Sequence, residues 1–424
     1  MRALVILLLW AGAALAEPVR LEGHGGPIHA TAVAPDGRSA LTASFDNSVG
    51  LWTLPDGQPT WLDGHEAAVK SVIYLGPDRA ASAGDDFTII IWDLATGQAL
   101  HRMTGHQGTI NALDITPDGS MLVSASWDGT VGVWDPMTGQ NLAMLGHHDG
   151  AVNDVSIRDG GVVSASADGT LRTSSFDAAR QDVMHEHGLG ITQVLVSPTG
   201  TWSAFGGVDG TVQVRGDGEV VADLSAGRRP ILALATDPAG SILAIGDGEG
   251  HVTLVDTENW TIQRDIKASA KGPIWALSFT PDGTQLLIGG IDDTAVLWPV
   301  AAKGGPGLGQ IQRAFLMDPD QMENGERQFK RKCAICHSLT PDSQRRAGPS
   351  LHGLFGRKAA SVPGYTYSPA LKAKGIVWTD DTIDRLFDEG PDHYVPGTKM
   401  PMQRITKSTD RQDLITYLKE NTKG

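Results

Sequence analysis

From about residue 18 to residue 300 the chain is built from short apolar runs that alternate with polar positions and are cut by turn residues. Alternation with period two puts one face of an extended strand in a core and the other in solvent. Each unit shows the same order: a Pro-Asp-Gly or similar turn, an alternating strand, Asp-Gly-Thr or a variant of it, and a strand with an aromatic end. Those ends read Leu51-Trp52, Trp92-Asp93 and Trp134-Asp135, and a last one reads Leu297-Trp298. The tight turns suit hairpins.

The units repeat. Gly23-His24, Gly64-His65, Gly105-His106 and Gly146-His147 follow one another at intervals of 41 residues. Counting the turn acid in every unit gives Asp46, Asp86, Asp128, Asp168, Asp209, Glu249 and Asp292, which makes seven units. A period of about 40–45 residues with Gly-His and Trp-Asp marks resembles the WD-repeat family. That resemblance implies a propeller of four-stranded blades. A single blade cannot bury both faces, so blades stack around an axis. Pro18 to Glu22 then supply the outer strand of the seventh blade, closing the ring and removing a free edge. Ser174, Arg215 and Val255 stand where other units have Trp.

After the repeats the character changes. Ala301 to Leu308, with Lys303-Gly-Gly-Pro-Gly-Leu-Gly, reads as the start of a short flexible Gly/Pro linker, taken as 301–317. The remaining segment, 318–424, contains Cys333-Ala-Ile-Cys336-His337, and these are the only two cysteines of the 424 residues. A C-x-x-C-H run is the attachment signature of a c-type haem, with two thiols for thioethers and an adjacent imidazole for iron. A structural zinc site needs four ligands, and no second cysteine pair exists to complete one. No β-α-β pattern surrounds the pair, as a thioredoxin-like site requires.

Further marks follow in order: Gly348-Pro349-Ser350-Leu351-His352-Gly353-Leu354-Phe355-Gly356-Arg357-Lys358, then Pro363-Gly364-Tyr365-Thr366-Tyr367-Ser368, Trp378, Pro396-Gly397-Thr398-Lys399-Met400, and Asp413 to Lys419. From about Gly325 onward the chain resembles class I cytochrome c of the short soluble type, with one single-residue insertion between Trp378 and Pro396. The resemblance implies an all-α domain holding one covalent haem c. It makes His337 the proximal iron ligand and Met400 the distal one, with Met402 a rival that the Thr-Lys-Met spacing disfavours. The carbonyl of Pro349 would accept the other imidazole N–H. Tyr367 and Trp378 would donate to a propionate, and Arg357 would offset its charge. Thr398, in the Pro-Gly-Thr-Lys-Met run, counts among the haem-binding residues. Gly325 and Phe329 would pack a first helix against a last one near Leu414 and Tyr417. The chain departs from the family at Leu371, where Asn is usual, and at Leu386 or Phe387, where Tyr is usual.

The fold expected is thus a seven-bladed all-β propeller over 17–300 followed by an all-α cytochrome c domain. Met1-Arg2, the apolar run from Ala3 and Ala14-Leu15-Ala16 read as a signal peptide over 1–16, cleaved after Ala16. The apolar run is too short to span a bilayer, which takes about 20 residues. A periplasmic location is expected, with no transmembrane segment in the mature chain.

Charge divides unevenly. Residues 306–424 carry 18 Lys+Arg against 14 Asp+Glu, leaving 16 against 35 for residues 1–305, so +4 and −19 make up the stated −15. Such acidity argues against nucleic acid binding. By the resemblance, Arg327, Lys332, Arg346, Lys399 and Lys407 ring the exposed haem edge and face acidic redox partners, while Asp392 and His393 stand where lysines are common. The Gly-His histidines belong to a structural network with the turn acids. His147-His148 and His185-x-His187 lack a third ligand at metal-site spacing. No catalytic constellation is visible in the repeats. The reading is an electron carrier without substrate turnover, its propeller docking redox partner proteins and open to contact with its own haem domain. Two alternatives are a propeller hosting an oxidoreductase site that feeds the haem, and a haem-based redox sensor.

Overall fold

The computed structural model describes residues 18–309 and 322–423, apart from 55–56, 147, 179, 226, 228–229 and 342–344. The expected signal peptide and the second part of the expected linker lie outside the described residues.

Residues 18–300 form seven four-stranded antiparallel sheets. Blade one runs Ile28–Val33, Ser39–Ser44, Ser48–Thr53 and Pro59–Asp63, and blade two runs Val69–Tyr74, Arg79–Gly84, Ile89–Asp93 and Gln98–Met103. The innermost strand of every blade contacts that of the next, and blade seven contacts blade one, so the ring is complete. Val19–Glu22 closes it as expected, pairing with Thr294–Pro299 as the outer strand of blade seven.

The turn acids organise each early blade from within. In blade one, Trp52 Nε1 donates to Thr42 Oγ1 at 2.8 Å, Thr42 Oγ1 lies 2.7 Å from His24 Nε2, and His24 Nδ1 lies 2.9 Å from Asp46 Oδ2. An indole N–H can only donate, so the threonine hydroxyl gives its own proton to Nε2, and Nδ1–H is left for the carboxylate. His65 with Ser82 and Asp86, and His106 with Ser124 and Asp128, repeat the arrangement. Burial pushes the Asp46 carboxyl up, but His24, Ser48 and the Gly25 N–H outweigh it and bring it down to about 2. Two expectations shift. In blade four His148 forms the network, its Nε2 2.8 Å from Ser164 Oγ and its Nδ1 3.1 Å from Asp168, while His147 lies outside the described residues. In blade six the turn acid is Asp247, which accepts from the N–H of Glu249 and of His251.

A β-bulge recurs in all seven innermost strands, at His29, Lys70, Asn111, Asn153, Thr192, Leu232 and Trp275. A bulge turns its extra residue out of the pleat, and here several such side chains reach the neighbouring blade. Asn111 donates to the Asn153 carbonyl, Asn153 to that of Ile191, and Thr192 to that of Ile231. Lys70 Nζ stands 3.4 Å from His29 Nε2, and the His29 ring stacks on Trp275.

The stretch after residue 300 is not a free linker along its described part. Leu308 is buried against blades six and seven, its N–H bonds to the Ala268 carbonyl and its carbonyl to the N–H of Ala270. Trp298 donates to the Gly304 carbonyl, and Arg264 holds the carbonyls of Val300 and Ala302. Glycine there permits a close fit to the sheet rather than freedom: a Cβ on Gly309 would stand 2.7 Å from the Lys271 nitrogen.

The C-terminal domain is helical: α1 (Asn324–Lys332), α2 (Pro369–Lys374), α3 (Asp380–Glu389), α4 (Pro391–Tyr394) and α5 (Ser408–Asn421). The first and last helices cross where Gly325 meets the backbone; a Cβ there would stand 2.2 Å from the Asp413 carbonyl. Phe329 packs on Tyr417 at 5.6 Å between ring centroids. Helix α3 opens on a capping box between Thr379 and Thr382 and buries Ile383, Leu386 and Phe387. Arg411 of α5 ties to Asp384 and Asp388 of α3.

Candidate functional site

The end of α1 sets the chemistry. Cys336 N–H and His337 N–H both bond to the Cys333 carbonyl, a turn that follows directly on the helix and presents two thiols and an imidazole together. His337 Nδ1 donates to the Pro349 carbonyl at 2.7 Å. That fixes the ring and leaves Nε2 with a free lone pair. Burial holds the imidazole below its ordinary pKa, so it is neutral, as a metal ligand must be. Gly348 makes room for it: a Cβ there would stand 2.3 Å from His337 Cε1. Burial pushes the Cys333 thiol up to about 12 and the Cys336 thiol to about 11.

The nine residues expected to bind haem or iron all line one cavity of about 640 Å³: Cys333, Cys336, His337, Pro349, Arg357, Tyr367, Trp378, Thr398 and Met400. Met402 does not line it and is half-exposed, with its sulfur near Gly390. The Met400 N–H bonds to Thr398 Oγ1 at 3.3 Å. Tyr367 Oη accepts the Val362 N–H at 3.2 Å, which leaves its own proton to donate. Arg357 is engaged with the carbonyls of Ser350 and His352. Leu371, Leu386 and Phe387, the departures from the family pattern, all bring apolar surface to the wall.

Sequence reasoning gave no part in the cavity to Leu351, Leu354, Ile383, Val395 or Leu418, which complete its apolar lining, nor to Tyr365, whose hydroxyl donates to the Ala347 carbonyl. Helical spacing was a signal only for Ile383 of α3 and Leu418 of α5; the others lie outside the helices. It also missed a second wall. Phe45, Asn47, Glu66, Ala67, Ala68, Asp85, Asp86 and Phe87 of the propeller border the same cavity. The sequence marks Asp86 only as a turn acid, and no motif ties any of them to the cavity.

The cavity suits a haem. Its walls are mainly apolar, two thiols share one side, and an oriented neutral imidazole and a thioether both border it. Among the described residues no group of three or more His, Cys, Asp or Glu stands together as a metal site, so the zinc reading gains nothing. A ring of blades carrying a small helical domain with these donors defines a propeller-borne haem protein.

Comparison with known proteins agrees. The pattern of the WD domain, G-beta repeat, matches residues 17–53, 58–93, 97–135, 139–173, 180–215 and 260–299, and that of cytochrome c matches 322–422. The cytochrome c of Gibberella zeae is 49% identical over 102 residues, 24% of this chain and 95% of that protein. The cytochrome c of Arabidopsis thaliana is 50% identical over 101 residues, 24% of this chain and 89% of that protein. Cytochrome c type-1 of Ascaris suum is 44% identical over 101 residues, 24% of this chain and 88% of that protein. The chain belongs to the WD-repeat family and carries a C-terminal cytochrome c domain. That domain makes it an electron-carrying haem protein with covalently bound haem. No helix among the described residues is long and apolar enough to cross a membrane.

Proposed function

We propose that this protein is an exported, periplasmic one-electron carrier with a single haem, whose propeller is a docking platform for redox partner proteins. The observation that carries the reading is the convergence of Cys333, Cys336, His337 and Met400 on one apolar cavity. Haem supplies a one-electron iron couple when bound, and the protein's part is to hold and shield it. Cys333 and Cys336 anchor it through thioethers, and His337, oriented by Pro349, offers Nε2. Met400 offers a thioether that favours the reduced metal. Tyr367 and Trp378 would donate to a propionate, and Arg357 would offset its charge. Leu371, Leu386 and Phe387 exclude water from the wall. Export rests on the basic start, apolar run and Ala14-Leu15-Ala16 of the sequence.

The test is the absorbance spectrum of the mature protein purified from a periplasmic fraction. One c-type haem as the sole chromophore supports the carrier. A further chromophore, or turnover of an organic substrate, would favour a propeller that hosts an oxidoreductase site.

A further inference from the structure

The haem domain rests against blade one through the loop before Gly348, and blade two borders its cavity. The Arg345 guanidinium lies 4.6 Å from the centroid of the Trp61 ring, its Nε donates to Ser48 Oγ at 3.1 Å, and it pairs with Asp63. Arg346 Nη1 reaches the Gly25 carbonyl at 3.4 Å and the Ala334 carbonyl of its own domain at 3.1 Å. Gly25 admits this approach because it has no side chain: a Cβ there would overlap the Arg345 carbonyl oxygen, at 1.0 Å.

The same contact places Phe45, Glu66, Asp85, Asp86 and Phe87 on the cavity that holds both cysteines, Lys332 and Lys399. Phe87 is the odd residue there. It occupies the left-handed backbone at φ 59°, in the turn position that Gly129, Gly169, Gly210 and Gly250 take in blades three to six. It is 41% exposed. A bulky residue held in glycine's conformation needs a reason outside its own turn. Facing the haem cavity supplies one.

We propose that the rim of blades one and two is the resting dock of the chain's own haem domain, latched by Arg345 and capped by Phe87, so that outside redox proteins react with an opened form. This rests on the carrier reading above. The acidic rim then occupies the position that an acidic partner would take on the basic haem domain. Such a partner opens the dock by competing for the same cations. Tethering sets an effective concentration of about 1 mM, so a contact with a dissociation constant of about 0.1 mM keeps about nine molecules in ten closed.

Three variants of the full holoprotein test it. Gly25→Ala wedges the contact without changing charge, Arg345→Glu reverses the latch, and Phe87→Gly installs the turn residue of blades three to six and so keeps the propeller sound. Each is measured by small-angle scattering and by the second-order rate of haem reduction with a neutral hydroquinone. The expected result is a larger radius of gyration and a rate gain of up to about tenfold. Combining Arg345→Asp with Asp63→Arg should bring both quantities back toward those of the parent. Radius and rate unchanged in all three variants would overturn the dock. A haem that no reductant reduces would overturn the carrier reading instead, and leaves the scattering result to decide the dock by itself.

Discussion

Replacing Gly348 by alanine places a methyl carbon 2.3 Å from Cε1, 2.7 Å from Nδ1 and 2.8 Å from Nε2 of His337. Carbon contacts settle near about 3.5–4.0 Å, so the ring must retreat by about 1 Å. It has little freedom to do so. Nδ1 is bonded to the carbonyl of Pro349, the next residue along, at 2.7 Å, and the opposite nitrogen is the one offered to iron. Overpacking of this kind costs about 1–3 kcal/mol, and loss of the hydrogen bond adds about 1 kcal/mol. The thiols are untouched, so Gly348→Ala should still carry covalent haem. The assay is guanidinium unfolding of the ferric holoprotein, followed in the Soret band for the haem domain and in tryptophan fluorescence for the propeller. The haem-domain transition should fall by about 2–4 kcal/mol with the propeller transition unmoved. An unchanged Soret midpoint would refute the argument that this glycine is a steric requirement of the imidazole.

Other expectations follow from the same geometry. Met400→Ala should remove the methionine–iron charge-transfer band and lower the potential, while Met402→Ala, changing a side chain outside the cavity, should leave both as they were. Asp154 lies between blades, accepting the Val194 N–H at 2.9 Å, and burial pushes its carboxyl up to about 7. A raised carboxyl stabilises the fold below its unfolded pKa of about 3.9 and loses that contribution as pH climbs toward 7. The stability difference in urea between the parent and Asp154→Asn should therefore shrink, in the parent's disfavour, between pH 4 and pH 7 with a slope of up to about 1.4 kcal/mol per pH unit, while buried His29, His106 and His148, held below their ordinary values, pull the total curve the other way. A parent-to-variant difference that stays constant or moves in the parent's favour over that range would contradict the assignment.

What the sequence made legible is what repeats or what chemistry spaces. Blade count, ring closure by Val19–Glu22 and the Asp-His-Trp networks follow from a period that each blade writes again. The cavity residues were legible because C-x-x-C-H and Pro-Gly-Thr-Lys-Met are short-range signals. The misplaced features have one thing in common: pairing between strands, not counting along the chain, decides them. His148 serves in blade four because it stands opposite Asp168 and Ser164. Asp247 serves in blade six because it ends the strand Ile242–Asp247 and reaches two N–H groups across the turn. Glycines 304 to 309 looked like a tether, but Leu308 anchors them. The dock was out of reach, since Arg345 and Asp63 meet through tertiary structure alone, although the +4 and −19 halves of the chain pointed toward attraction.

The central claim is covalent haem on Cys333 and Cys336, and peptide mass spectrometry of the purified protein tests it most directly. The account predicts that the peptide spanning Cys333–His337 carries the mass of one haem through denaturation, and that the chain with both cysteines changed to alanine carries none. Two free thiols on that peptide, or haem retained by the double variant after denaturation, would contradict it.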